Sequence, residues 1–117
     1  MVRSYRELAV WLEGMNLVTE TYRLSRQFPT DERFGLTSQM RRSAVSIPAK
    51  IAEGHGRSHR GDFLHHVSFA RGLLAELETH CLIAVRLGFV GDSESETLLE
   101  RCDHESRMLT NLRRNMR

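Results

Sequence analysis

The segment Ser46-Ile47-Pro48-Ala49-Lys50-Ile51-Ala52-Glu53-Gly54 is the most informative in this chain, because it places a proline inside an amphipathic helical pattern. A proline within a helix removes one hydrogen bond and clashes with the preceding turn, at a cost of about 3 kcal/mol. Apolar residues nevertheless recur in steps of three and four on both sides of it, at Leu36, Met40, Ala44, Ile47 and Ile51. The pattern therefore predicts a helix that bends at the proline rather than ending there.

Upstream of this segment, the chain predicts a first helix that starts near Ser4 and stops before Phe28-Pro29. The Ser4 hydroxyl and the Glu7 carboxylate have the spacing of a capping box. We expect the buried face to follow the three-four spacing of Leu8, Trp11, Met15, Val18 and Tyr22. A second stripe is either the flank of a wide core face or a surface that contacts another subunit; it consists of Val10, Leu17 and Leu24.

Downstream, glycines at 54, 56 and 61 end the second helix, and two more helices follow. The third starts near Asp62, stops at residues 87–91, and should bury Phe63, Val67, Ala70, Leu74, Leu77, Cys81 and Ala84. The fourth starts at Asp92 or Ser93, with Ser93 and Glu96 at capping-box spacing, and should bury Leu98 or Leu99, Cys102, Leu109 and Leu112. No strand alternation competes with these patterns. The prediction is an all-α protein: an antiparallel up-down-up-down four-helix bundle with a proline-kinked second helix, forming a single domain over residues 1–117.

Composition places the chain among soluble proteins. It is 40% hydrophobic and 27% charged, and no apolar run approaches the length of a membrane span. The N-terminus lacks the apolar core of a secretory signal, so we expect a cytoplasmic protein without a membrane partner. Cys81 and Cys102 lie within helical patterns and have no metal-type spacing, which predicts buried, reduced cysteines rather than a disulfide or a reactive thiol.

Several separated motifs carry a family resemblance. They are Tyr5-Arg6-Glu7-Leu8-Ala9-Val10-Trp11, Phe34-Gly35-Leu36-Thr37-Ser38-Gln39, Arg41-Arg42-Ser43-Ala44-Val45-Ser46-Ile47-Pro48, Ile51-Ala52-Glu53-Gly54-His55-Gly56-Arg57, Phe69-Ala70-Arg71-Gly72 and Leu74-Ala75-Glu76-Leu77-Glu78-Thr79. In this order they closely resemble the four-helix-bundle proteins encoded in intervening sequences of bacterial 23S ribosomal RNA genes. The likeness covers about residues 5 to 90. One departure is Ala49-Lys50, where that family often has a small polar residue and asparagine.

The resemblance implies a homopentamer of bundles around a central channel, and it implies no known reaction. The same family resembles the accessory variability determinant proteins of diversity-generating retroelements, which form basic pentamers that bind a reverse transcriptase and nucleic acid. It therefore suggests RNA or DNA, and a partner protein such as a reverse transcriptase, as binding partners.

The charge distribution gives this suggestion mixed support. The net charge is only +2, yet residues 41–60 carry five cationic side chains against the single acidic Glu53. We predict that these five side chains contact phosphate in RNA or DNA: Arg41, Arg42, Lys50, Arg57 and Arg60. No aromatic residue is interleaved among them, so we expect little contact with bases. The alternatives are a solvated face with intersubunit salt bridges, or a protein–protein scaffold that does not bind nucleic acid.

Catalytic and metal sites are not expected. Asp62 with His65 or His66, and Glu76 with His80, have ligand-pair spacing, but no matching Glu-x-x-His pair occurs on another helix. His80 and Cys81 are adjacent and so project in different directions, which argues against a Cys-His nucleophile pair. Residues 54–56 follow no strand and have no phosphate-loop lysine, so we interpret them as a turn. Glu53 and Glu78 are expected to pair with arginine, the candidates being Arg42, Arg57 and Arg71. The prediction is a non-enzymatic protein without a cofactor.

Overall fold

Four α-helices account for most of the chain. A computed structural model describes residues 4–57 and 59–116, and within these ranges it contains no strand. The helices are α1 (Ala9–Ser25), α2 (Leu36–His55), α3 (Arg60–Arg86) and α4 (Asp92–Asn115), with short 3-10 turns at Tyr5–Glu7 and Thr30–Glu32. The all-α four-helix prediction is confirmed.

The helices pack in a ring of neighbours around one core. α2 contacts α1 and α3, and α4 contacts α3 and α1, so each helix has two partners. The molecule measures 44 × 24 × 19 Å. Its long axis matches the length of α3, because 27 residues at 1.5 Å each span about 40 Å. The interior contains most of the residues predicted from α2, α3 and α4: Met40, Ala44, Ile47, Ile51, Phe63, Val67, Ala70, Leu74, Leu77, Cys81, Ala84, Leu98, Cys102 and Leu109. The predicted Leu36 and Leu112 are only partly buried.

The N-terminal capping box forms, but it caps a different element from the one predicted. The Ser4 Oγ accepts a hydrogen bond from the Arg6 N–H at 3.1 Å, and Glu7 Oε2 accepts one from the Ser4 N–H at 3.4 Å. These bonds close a 3-10 turn, after which Leu8 adopts an extended conformation. α1 therefore begins at Ala9 rather than near Ser4.

The predicted buried face of α1 is wrong. Met15 and Tyr22 are 43% and 38% exposed, and Leu8, Trp11 and Val18 only pack against the edge of the core. The second stripe, Val10, Leu17 and Leu24, is buried instead, together with Gly14 and Thr21, which were not part of either predicted stripe. Ser25 at the end of the helix is buried as well. The five buried positions from Val10 to Leu24 alternate in steps of four and three, so a small residue at every second position lets α1 approach the bundle closely.

α2 continues through Pro48 without interruption, from Leu36 to His55. The prediction that the helix does not end at the proline is thus confirmed, while the bend itself stays a prediction. Pro48 is buried and faces Gly14 of α1: a Cβ built on the glycine would lie 3.3 Å from the proline Cβ. A larger side chain at either position would hold the two helices further apart.

The turn between α3 and α4 forms where the sequence predicts it. Gly88 has a positive φ of 77°, which glycine adopts without steric cost. The Phe89 N–H donates to the Ala84 carbonyl at 2.9 Å and the Gly88 N–H to the Val85 carbonyl at 3.0 Å, the two bonds of a Schellman motif. The cap of α4 is two residues earlier than predicted, because Glu94 Oε1, and not the Glu96 side chain, accepts the hydrogen bond, from the Gly91 N–H.

Candidate nucleic-acid interface

The five predicted phosphate-binding residues occupy two separate regions. Arg41 and Arg42 lie in the first half of α2, whereas Lys50 and Arg57 lie near its end and Arg60 begins α3. Sixteen residues separate Arg41 from Arg57, which corresponds to about 24 Å along a helix. The structure therefore does not bring the predicted residues together into one compact site.

Glu53 occupies the centre of the region at the end of α2. Its carboxylate oxygens lie 3.4 Å from Lys50 Nζ, 3.5 Å from Arg57 Nη2 and 3.2 Å from His66 Nε2. The hydrogen bond from His66 and then the charge of Lys50 lower the pKa of Glu53. The predicted pairing of Glu53 with Arg57 is confirmed. Because one carboxylate faces two cations and a histidine, this region has less charge to offer phosphate than its sequence suggests.

Glu78 departs from the prediction of arginine pairing. Burial, and then the negative charge of Asp103 on α4, raise its pKa. An arginine partner would have the opposite effect, since a nearby cation favours the ionised carboxylate. The Arg71 Nε, a predicted candidate, is itself buried without a hydrogen-bond partner among the described atoms.

Arg41 is held in place by two contacts with α1. Its Nε donates a hydrogen bond to the Ser25 Oγ at 2.8 Å, and its guanidinium lies 4.4 Å from the centre of the Tyr22 ring. Ser25 is buried, and its hydroxyl also lies within hydrogen-bond distance of the Tyr22 carbonyl. A planar guanidinium fixed by one edge and one face loses little further freedom when it binds an anion.

Three arginines converge at this end of the bundle. Arg33, from the connector between α1 and α2, joins Arg41 and Arg42 around an open groove of about 410 Å³. We call it the arginine groove; its lining consists of Tyr22, Arg33, Phe34, Thr37, Ser38, Arg41, Arg42 and Val45. No carboxylate is among these lining residues. Arg33 was not predicted from the sequence because it lies outside the cationic run at residues 41–60. The fold of the connector between α1 and α2 places it beside Arg41 and Arg42.

The fold places aromatic rings beside several basic side chains, although none is interleaved among the five predicted residues in the sequence. The expectation of little contact with bases stays a prediction. Tyr22 stacks with Arg41, and Phe34 lies with its ring centre 4.9 Å from the Arg33 guanidinium. Neither ring is interleaved with the cationic run in sequence. At the other region, the Phe69 ring of α3 lies 5.1 Å from Lys50 Nζ.

An apolar groove continues from the arginine groove along the α1–α2 face. It has a volume of about 350 Å³. Val45 lines both grooves. The residues of this apolar groove are Tyr5, Trp11, Met15, Val18, Val45, Pro48, Ala49 and Ala52. It is formed by the stripe of α1 that was predicted to be core, so these side chains are available to a partner.

A largely buried group of polar side chains joins α2 to α3. The Ser43 hydroxyl lies 2.8 Å from Glu76 Oε1 and 3.5 Å from His80 Nδ1, and Ser43 is 2% exposed and His80 7%. Burial raises the pKa of the Cys81 thiol to about 11 and raises that of Cys102 further. Both cysteines are free and buried, as predicted.

Within residues 4–57 and 59–116, no three His, Cys, Asp or Glu side chains are grouped so that they could hold a metal ion. None of the helices in these ranges combines the length and the apolar character needed to cross a membrane.

The protein is thus an all-α four-helix bundle with arginines gathered at one end of its α1–α2 face. The chain belongs to the 23S rRNA-intervening sequence protein family, whose model matches residues 6–111. It is similar in fold to a crystal structure of a protein of unknown function from the S23 ribosomal protein family of Bacteroides thetaiotaomicron VPI-5482, with a TM-score of 0.82 and 19% identity over 89% of this chain and 97% of that chain. Among curated proteins, the comparison finds no match.

Proposed function

We propose that this protein binds nucleic acid, RNA in the first instance, as a non-enzymatic module that acts through electrostatic contacts. The observation that carries the proposal is the arginine groove, where three guanidinium groups surround one open surface and no carboxylate lines it. Guanidinium groups pair with phosphate oxygens in a bidentate manner, and such contacts supply most of the sequence-independent affinity for nucleic acid.

The three arginines have different roles in this proposal. Arg41 is oriented by Ser25 and Tyr22, so it presents a fixed donor group. Arg33 and Arg42 are exposed and can adjust to the path of the phosphate backbone. The residues predicted at the other region, Lys50, Arg57 and Arg60, make a weaker contribution. Glu53 competes with phosphate for the first two of them.

Assembly into a ring multiplies this modest surface. We propose that copies of the chain form a homo-oligomer, with the number five taken from the family resemblance. The apolar groove supports self-association, because Met15 and Val45 are 43% and 44% exposed in the single chain. Five copies of three arginines around one axis would form a much stronger positive field than a net charge of +2 per chain suggests.

The resemblance to the accessory variability determinant proteins extends the proposal to a ribonucleoprotein. In that setting the protein acts in the cytoplasm, and its nucleic acid is accompanied by a partner protein such as a reverse transcriptase.

The test is fluorescence anisotropy of the purified protein against labelled RNA and DNA over a range of salt concentrations. We expect the logarithm of the affinity to fall linearly with the logarithm of salt. Arg42→Glu should weaken binding and reduce the slope, because it replaces a cation of the groove with an anion. The side chain is exposed, so the fold should tolerate the change. Arg86→Glu is the matched control: it makes the same charge change at an exposed position that lines a different groove. Absence of binding by the wild type at low salt would reject the proposal, and so would equal losses in the two variants.

A protein–protein scaffold is the second candidate, and the apolar groove favours it. Its described lining contains no charged side chain. Tyr, Trp and Met are enriched at interfaces. Under this function, the wild type binds no nucleic acid, while Met15→Glu abolishes association with a partner protein and Arg42→Glu does not.

A further inference from the structure

We infer that the arginine groove takes an unpaired nucleotide, with the base stacked on Phe34 and the flanking phosphates on the arginines. This inference rests on the proposed function, because it specifies which form of nucleic acid the same groove selects. It begins from the exposure of Phe34, which at 86% exceeds that of every other exposed large hydrophobic residue in the described chain.

The position of Phe34 explains why it is exposed. It follows the 3-10 turn Thr30–Glu32 and precedes Gly35, so the connector places it just before α2 begins. The next turn is closed by Glu32 Oε1, which accepts a hydrogen bond from the Leu36 N–H at 3.1 Å. The ring is thus carried on backbone anchored to the start of α2. A phenyl ring that is mostly exposed on an anchored turn can stack with another flat apolar group.

The arginines around the Phe34 ring favour a flat group that also carries a negative charge. Arg33 lies 4.9 Å from the centre of the Phe34 ring, and across the groove Arg41 lies 4.4 Å from the centre of the Tyr22 ring. Burying an uncharged protein surface here would strip water from these guanidinium groups and from Arg42 without providing counter-charges. A nucleotide supplies both a flat base for the ring and a phosphate for the arginines.

The same geometry discriminates between single strands and duplexes. In a duplex each base is covered on both faces by its neighbours, so only phosphates and groove edges are available. An unpaired strand exposes the faces of its bases, and one of them can stack on Phe34. The groove volume of about 410 Å³ falls within the range of about 300–1,000 Å³ that is usual for small-ligand sites. Duplexes would therefore bind through the arginines alone.

The test compares Phe34→Ala and Phe34→Tyr with the wild type, using an unstructured uridine-rich RNA and a duplex RNA of the same length. We expect Phe34→Ala to weaken binding of the single strand by about 5- to 150-fold, which corresponds to about 1–3 kcal/mol for one stacked base. Binding of the duplex should not change. Phe34→Tyr keeps an aromatic ring and should bind the single strand like the wild type.

The salt dependence provides a second readout. Phe34→Ala removes no cation, so its salt slope should equal that of the wild type, whereas Arg42→Glu lowers the slope. Two outcomes would overturn the inference while leaving the proposed function in place: equal binding of both RNAs by the wild type, or equal losses for both RNAs in Phe34→Ala. Dissociation of an oligomer by Phe34→Ala would also overturn it, since the ring would then be an interface residue. If the wild type binds neither RNA at low salt, the proposed function itself fails.

Discussion

Gly14 on α1 lies directly against Pro48 on α2, and no side-chain atom could be added to the glycine without crowding the proline ring. A Cβ at this position would be 3.3 Å from the proline Cβ and 3.5 Å from its Cα. The distance between α1 and α2 where they cross therefore depends on the absence of a side chain at Gly14 and on the rigid ring of Pro48. The α1–α2 face that carries both grooves is built on this contact.

The first prediction concerns Gly14. Alanine is favoured over glycine within a helix by about 1 kcal/mol, but crowding at a packed site costs about 1–3 kcal/mol. We expect Gly14→Ala to lower the free energy of unfolding by about 1 kcal/mol, measured by urea denaturation. Gly72→Ala on α3 is the control, because a Cβ there has no neighbour within 4 Å; it should be stabilising. Equal stabilisation by both changes would mean that the two helices move apart easily.

The second prediction concerns Gly54, where α2 approaches α3. A Cβ on Gly54 would lie 2.5 Å from the Cβ of His66 and 3.3 Å from a ring carbon of Phe63. The His66 Cβ is attached to the α3 backbone and cannot rotate away. We expect Gly54→Ala to lower the free energy of unfolding by about 2–3 kcal/mol, more than Gly14→Ala does. Thermal unfolding followed by circular dichroism, with Gly72→Ala again as the control, would measure the difference. A loss no larger than that of Gly14→Ala would contradict the close approach.

The third prediction concerns Glu105, a carboxylic acid at the centre of the bundle. Its side chain is fully buried, and neither carboxyl oxygen has a hydrogen-bond partner among the described atoms. Burial and then the charge of Glu13 raise the pKa of Glu105 from 4.5 to about 8. Between these two pH values the folded protein holds a proton that the unfolded chain has lost. Stability attributable to this group is therefore complete at low pH and falls as the pH rises through this window.

Glu105→Gln tests this directly, since the amide has nearly the same shape and does not ionise. At about pH 5 the variant and the wild type should have similar free energies of unfolding, whereas at about pH 9 the variant should be more stable by a few kcal/mol. Glu78, which is present in both proteins, has a raised pKa as well. The Glu105→Gln variant should therefore still lose some stability as the pH rises, but less than the wild type. Glu100→Gln, an exposed change on the same helix, serves as the control. The same pH profile in wild type and Glu105→Gln would refute the assignment.

The fourth prediction concerns the apolar groove as a contact between copies of this chain. Met15→Glu places a charge at a position that is 43% exposed in the single chain. The bundle should therefore remain folded while the oligomer dissociates, because an unpaired carboxylate is costly in an apolar interface. Light scattering coupled to gel filtration would report the mass, and circular dichroism the fold. Thr19→Glu, at another exposed position of α1 outside the groove, is the control; dissociation by both variants would argue against the groove.

Much of the fold follows from sequence because helix periodicity is a local property. The apolar residues of α2, α3 and α4 recur on one face, and that face is buried, as Ile47, Leu74 and Leu98 illustrate. The end of α3 is equally local, because the positive φ at Gly88 is a conformation that glycine adopts without steric cost. Local patterns failed on α1. Two stripes of similar hydrophobicity compete there, and the one that is buried contains Gly14 and Thr21.

Contacts between side chains on different helices could not be predicted from local patterns. The cationic run at residues 41–60 is visible in the sequence, but the contact of His66 with Glu53 and the position of Arg33 beside Arg41 and Arg42 depend on the path of the chain. The same holds for Tyr22 against Arg41 and for the burial of Glu105. The four helices and most of their inner faces could be predicted from the sequence, because they depend on neighbours three and four residues away. The groove and the buried carboxyl depend on residues far apart in the chain, whose proximity is set by how closely the helices pack.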